Sequence, residues 1–204
     1  MPPQRVVGAQ YVVGSPPATP VLRPLKNPLY DTEVYPAAGV GRLQFFTNAQ
    51  TIAATGAAKT LADTNMTQNG QLGTPLEFDL VGFNSEIAKG VPVADFNGIF
   101  NTGVWQWIFG NNTPWLTVPV TRIPEGLQTT GAATTTVAAT TITLLSQGVP
   151  HVSNFYNFSV DRKARHIFSQ ESFRGELTYP IAVVPITANA RIRFYAQGVL
   201  FSQL

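Results

Sequence analysis

Apolar side chains recur at every second position in short runs along most of this chain, and no other feature restricts its fold so much. Successive side chains of a strand point to opposite faces, so each such run reads as a strand with one buried face. Leu43 and Phe45 share a face of Arg42-Leu43-Gln44-Phe45, and in Leu76-Glu77-Phe78-Asp79-Leu80 the two acids point away from three large apolar residues. Trp105, Trp107 and Phe109 line one side of VWQWIF, and Leu116, Val118 and Val120 line one side of WLTVPV. Tyr156, Phe158 and Val160 alternate in the same way, and later Ile192, Phe194, Ala196 and Leu200 oppose Arg191, Arg193, Tyr195 and Gln197. Turn chemistry falls between the runs, at Asn69-Gly70, from Gly110 to Pro114 and at Pro124-Glu125-Gly126. Only Val93 to Phe100 has helical spacing, and Gly98 inside it limits the expected helix to about two turns. The chain is therefore predicted to be mainly β, an antiparallel sandwich or barrel with at most one or two short helices.

The predicted organisation is one domain behind an arm. Residues 1–36 hold eight of the sixteen prolines, which fix φ and bias their predecessors toward extended backbone. The same stretch carries Val6, Val7, Tyr11, Val12, Val13, Val21, Leu22 and Leu25, too many apolar residues for a free tail. It reads as an extended arm laid on its own domain or on a neighbour. Residues 37–204 show no linker and no internal repeat, and 204 residues suffice for one sizeable core. Within them, residues 127–148 (LQTTGAATTTVAATTITLLSQG) are uncharged, and eight of the fifteen residues from Thr129 to Thr143 are threonine. Disordered segments are rich in charge or proline, whereas Thr and Val favour pleated backbone. This tract reads as a Thr/Ala-rich loop insertion, an extended or hairpin excursion with its tip around Gly131-Ala132-Ala133.

Charge is scarce. Asp, Glu, Lys and Arg make up 12% of the chain, against about 25% in an ordinary soluble domain. Between Phe96 and Val160, 65 residues, only Arg122 and Glu125 are charged. Low charge promotes association, so this region reads as surface desolvated against other subunits. The candidate interface residues are Trp105, Trp107 and Trp115 on the predicted hairpin and Val137, Ile142 and Leu144 in the insertion. The one basic cluster, Asp161-Arg162-Lys163-Ala164-Arg165-His166, reads as a solvated loop or as a latch to an acidic neighbour, with Arg162, Lys163 and Arg165 as its cations. A single cluster does not make a phosphate track, and no specific nucleic-acid binding is expected.

The chain carries few groups suited to chemistry. The chain has no cysteine, which excludes disulfides and thiolate sites. His151 and His166 stand fifteen apart on different predicted elements without a compact ligand motif, so no metal site is expected. Glu77 and Asp79 could form the carboxylate pair of a β-rich glycosidase, but a solvent-facing stripe opposite Leu76, Phe78 and Leu80 is the simpler reading. No nucleophile elbow, phosphate loop or dinucleotide fingerprint occurs; Gly39-Val40-Gly41 lacks the third glycine. No catalytic residue and no cofactor is expected. Trp105, Trp107 and Trp115 could form a carbohydrate platform, although Trp105 and Trp107 point the same way as Phe109, which favours packing. MPPQRVVGAQYVVGSPP lacks the apolar core of a secretory signal, and no apolar run approaches the ~20 residues of a spanning helix.

The order of these pieces resembles the jelly-roll capsid proteins of icosahedral, tailless bacteriophages. The resemblance is carried by an apolar N-terminal arm, GRLQFFTNAQ, TNMTQNGQLGTPLEFDLVGF, a short helix, the hairpin GVWQWIFGNNTPWLTVPVTRIPEG and the closing ELTYPIAVVPITANARIRFYAQGVLFSQL. It covers most of residues 40–204 as a pattern. It implies a single jelly-roll sandwich of eight strands in two sheets, with a strand near the start lying close to the last strand and with insertions in the loops. It also implies a non-catalytic virion protein, assembled in the host cytoplasm. Its copies would form trimers, pentamers or hexamer-like capsomers together with other capsid proteins, and contact with an internal viral membrane is left open. The alternative is a carbohydrate- or receptor-binding β-sandwich module that uses Trp105, Trp107 and Trp115, with a two-carboxylate hydrolase third.

Overall fold

The computed structural model describes residues 22–25, 28–50, 58–88, 90–110, 113–123, 127–137, 140–150, 155–157 and 165–203. Residues 1–21 of the predicted arm, together with His151, Arg162 and Lys163, lie outside the described residues. The chain is mainly β, with two antiparallel sheets packed face to face.

The larger sheet is built on β12 (Ala190–Gln203), which pairs with β4 (Leu76–Ile87) on one side. On its other side β1 (Leu22–Leu25) and β2 (Leu29–Tyr35) follow each other along β12, so residues 22–25 and 29–35, expected within the arm, are strands of the sheet. The far edge of β4 carries the short strands β9 (Tyr156–Asn157) and β10 (Arg165–Ile167). The smaller sheet runs in the order β3 (Arg42–Phe45), β11 (Phe173–Thr178), β5 (Val104–Phe109), β6 (Thr113–Pro119). Pro114 and Pro119 fall on its edge strand, where a missing N–H costs no ladder bond.

The predicted alternation is the observed division between faces. Phe78 and Leu80 are buried inward while Glu77 and Asp79 lie on the outer side, and Ile192, Phe194 and Ala196 are buried opposite Arg191, Arg193 and Tyr195. The core is an aromatic stack between the sheets. Phe194 lies flat on Trp105 with ring centres 3.8 Å apart, and Phe45 meets both rings edge-on. Phe83 of the larger sheet meets Trp107 of the smaller at 4.8 Å. Burying a side chain such as Phe contributes on the order of 1.5–3 kcal/mol. At Gly175 the strand backbone runs directly beneath the Trp105 indole, where a Cβ would sit 2.3 Å from the ring.

The helix α1 (Val93–Thr102) is a turn longer than the spacing predicts. Ile99 and Phe100 are buried, and Phe96 stacks on Phe100 at 4.6 Å. Gly98 does not break it because a Cβ there would meet Val184 at 2.8 Å: the glycine admits a neighbouring loop, and that packing outweighs its poor propensity. The Thr-rich tract forms a two-stranded ribbon of β7 (Leu127–Val137) and β8 (Thr140–Pro150). Its tip is not at Gly131-Ala132-Ala133, since Ala133 pairs with Leu144 and the ladder continues to Val137 opposite Thr140. The run of β-branched residues after Ala133 extends the pleated strand as far as Val137.

Candidate functional site

One end of the sandwich gathers the β2–β3 connection, α1, the base of the ribbon and the loop from Tyr179 to Asn189. The β2–β3 connection is tied to that loop by Ala37 N–H donating to Asn189 Oδ1 (2.8 Å) and Ile186 N–H donating to the Ala37 carbonyl (2.9 Å). The Tyr35 hydroxyl donates to the Val184 carbonyl (2.7 Å). On the other flank, Thr187 N–H donates to the Asp95 carboxylate in the first turn of α1 (2.8 Å), and α1 also touches β8. This end is nearly free of charge: residues 34–41 and 177–190 contain no Asp, Glu, Lys or Arg. Ile181 is 89% exposed and Val183 is half exposed on it. Charges lie instead on the outer faces of the two sheets. Low charge together with exposed aliphatic side chains makes the end a surface suited to association.

The candidate interface residues divide. Trp105 and Trp107 are fully buried between the sheets, so they offer no surface, and the three-ring carbohydrate platform loses two of its rings. Their shared face in the sequence pattern is the core face. Trp115 is 38% exposed and leans edge-on against Phe109, 5.9 Å between centres. Arg165 reaches the same Phe109 from the other sheet, its guanidinium 4.5 Å above the ring, and forms an ion pair with Glu171 at 2.6 Å. Trp115 and Arg165 are thus brought together although fifty residues separate them. Arg165 already has a partner within the chain, so it is no unpaired latch. Val137, Ile142 and Leu144 fall on the ribbon, and their side chains lie outside what the structure describes.

The other groups flagged in the sequence also meet. His166 lies between the two acids of the Leu76–Leu80 run, with Nε2 3.0 Å from Glu77 Oε2 and Nδ1 2.6 Å from Asp79 Oδ1, and Phe168 edge-on at 4.4 Å. An imidazole donating to both carboxylates must carry both its protons, so the clasp is complete only in that form. It fixes the edge strand β10 to β4. Among the described residues no group of three or more His, Asp or Glu side chains is placed to hold a metal ion.

Two carboxylate clusters went unread in the sequence. Lys59 Nζ donates to Asp31 Oδ1 (2.7 Å) and Oδ2 (2.9 Å) and to Glu33 Oε1 (2.5 Å), and Asp31 also accepts the Phe46 N–H (2.6 Å). Burial pushes the Asp31 and Glu33 carboxyls above their ordinary range, against the pull of Lys59. Glu176, on the outer face of the smaller sheet, behaves oppositely. Burial would raise its carboxyl, but hydrogen bonds from Arg174 and Gln44 and the charges of Arg174 and Arg42 hold it below the ordinary value. Single acids among polar neighbours give no sequence signal, because partners such as Lys59 and Gln44 come from distant parts of the chain.

Comparison of the chain with family models, with curated proteins and with solved structures finds no match.

Proposed function

We propose that this chain is a structural subunit of a virion shell, a single jelly roll that assembles with copies of itself and performs no catalysis. The observation that carries the reading is the order in which the chain visits the two sheets. Taken with β1 and β2 as one strand and β9 and β10 as another, the larger sheet is ordered β1/β2, β12, β4, β9/β10 and the smaller β3, β11, β5, β6. That order supports reading the sandwich as a jelly roll, an architecture used by viral capsid proteins among others. A fold alone does not assign a function. The second support is the charge-poor end, where the helix, the ribbon and the Tyr179–Asn189 loop converge. Burial of apolar surface at roughly 25 cal/mol per Å² drives such contacts, and obligate interfaces commonly exceed about 2,000 Å².

Size-exclusion chromatography with light scattering tests the reading on the full chain and on a variant in which residues 129–147 are replaced by a short Gly-Ser turn. The full chain is expected to form discrete trimers, pentamers or larger shells. The variant is expected to keep its near-ultraviolet circular dichroism, since the core lies elsewhere, and to run as a monomer. A full chain that stays monomeric at high concentration overturns the assembly reading; a variant that assembles normally removes the ribbon from it.

A further inference from the structure

The outer face of the smaller sheet carries a groove of about 620 Å³ that the assembly reading does not use. Strand register lays its polar floor in one row: Gln44 stands opposite Glu176, Glu176 opposite Gln106, and Gln106 opposite Thr117. The next row runs Arg174, Ile108, Pro114, so its far part is apolar. Ile108 is buried, yet it lies outside the aromatic core, under the groove.

Glu176 is the centre of the site. Its side chain is only 5% exposed, and its donors converge on one oxygen: Gln44 Nε2 (2.9 Å) and Arg174 Nε (2.7 Å) both donate to Oε1, with Arg42 3.8 Å from the same atom. Charge-assisted hydrogen bonds of this kind keep the carboxylate ionised and fixed, at the wall of an open groove. The Arg42 side chain is 59% exposed above it. An ionised acceptor, amides on either side, exposed guanidinium and a flat apolar strip form a set with few matching ligands. Ligand sites combine an apolar lining with a few placed polar groups in this way. A sugar ring supplies hydroxyls that donate to the carboxylate and accept from amide and guanidinium, and its C–H face suits Ile108 and Pro114. Two guanidinium groups against one carboxylate leave the groove with net positive charge, which selects an acidic sugar.

We propose that this groove binds an acidic oligosaccharide, with Glu176 and the glutamines reading hydroxyls and Arg42 reading the sugar's carboxylate. The site is separate from the tryptophans, and Trp115 does not line it.

Isothermal titration of the full chain with trigalacturonic acid and with neutral maltotriose tests the assignment. Trigalacturonic acid is expected to bind and maltotriose to bind far more weakly. Arg42→Ala and Gln106→Ala replace side chains at the groove's surface, leave the core intact and are each expected to weaken binding about tenfold to hundredfold. Trp115→Ala is expected to leave it unchanged. Absence of binding to either trimer, equal binding of both, or affinity unaffected by both groove variants overturns the proposal, as does loss of binding in Trp115→Ala alone.

Discussion

At Gly175 the fold depends on the absence of a side chain. The backbone of β11 passes under Trp105, which is itself held by Phe194 on its face and Phe45 at its edge, so the indole has nowhere to retreat. Gly175→Ala is expected to destabilise the protein by about 1–3 kcal/mol, the usual cost of overpacking. Calorimetry should register this as a fall in Tm of roughly 2–4 °C per kcal/mol for a domain of this size; an unchanged Tm would mean that the stack is looser than it looks. Sequence pattern marks Gly175 only as a glycine inside a strand, a hint of close approach that does not say to what. Trp105 and Trp107 show the same limit. Alternation correctly puts them on one face, but a core face and a subunit-facing face are equally apolar, and only the packing of Phe83 and Phe194 against them separates the two.

Among the elements, the connection between β3 and β4 buries Phe46, Met66 and Leu72 in the core and is also held by polar ties to β2. Lys59 enters between Asp31 and Glu33, the Thr64 hydroxyl donates to the Tyr30 carbonyl (3.0 Å), and the Asn65 amide donates to the Pro28 carbonyl (2.8 Å). Lys59→Met would leave two carboxylates buried without their cation, at an expected cost of about 3–5 kcal/mol measured by urea denaturation. The pH dependence has a definite sign. Burial sets both carboxyls above their unfolded values of 3.8 and 4.5, so the folded form takes up protons more readily. The deficit should therefore be largest near neutrality and shrink as pH falls into the carboxylate range; a deficit independent of pH would point to lost packing instead. Strands β3, β4 and β12 and the β5–β6 hairpin were legible because period and turn residues are local signals, whereas β1 and β2 were read into the arm and β10 into a loop. The buried triad was not, because it joins residues 26 and 28 apart in a chain where polar residues alternate everywhere. The last turn of α1 was hidden by Gly98, whose partner Val184 lies far along the sequence.

For the molecule as a whole, three phenols give a global readout. Tyr35, Tyr179 and Tyr195 all sit above the ordinary phenol value of 10, burial being the first cause in each case. At Tyr179 the neighbouring Tyr35 phenol adds to it, and at Tyr195 Glu86 adds while Arg193 opposes. A raised folded value means stability that is intact below about pH 10 and lost as pH climbs through the folded range. Alkaline titration followed by phenolate absorbance is expected to show these three ionising together with loss of tertiary circular dichroism. Three phenols titrating at their ordinary value in the folded protein would contradict the packing around them.

The separation of charged faces from a charge-poor end gives the molecule a polarity along its length. Contacts made by the faces belong to Coulomb's law and fade with added salt within a Debye length of ~10 Å. Contacts made by the end depend far less on it. Their strength follows the hydration of aliphatic side chains such as Ile181, which weakens on cooling. A union of copies through that end would be nearly indifferent to brine and sensitive to ice.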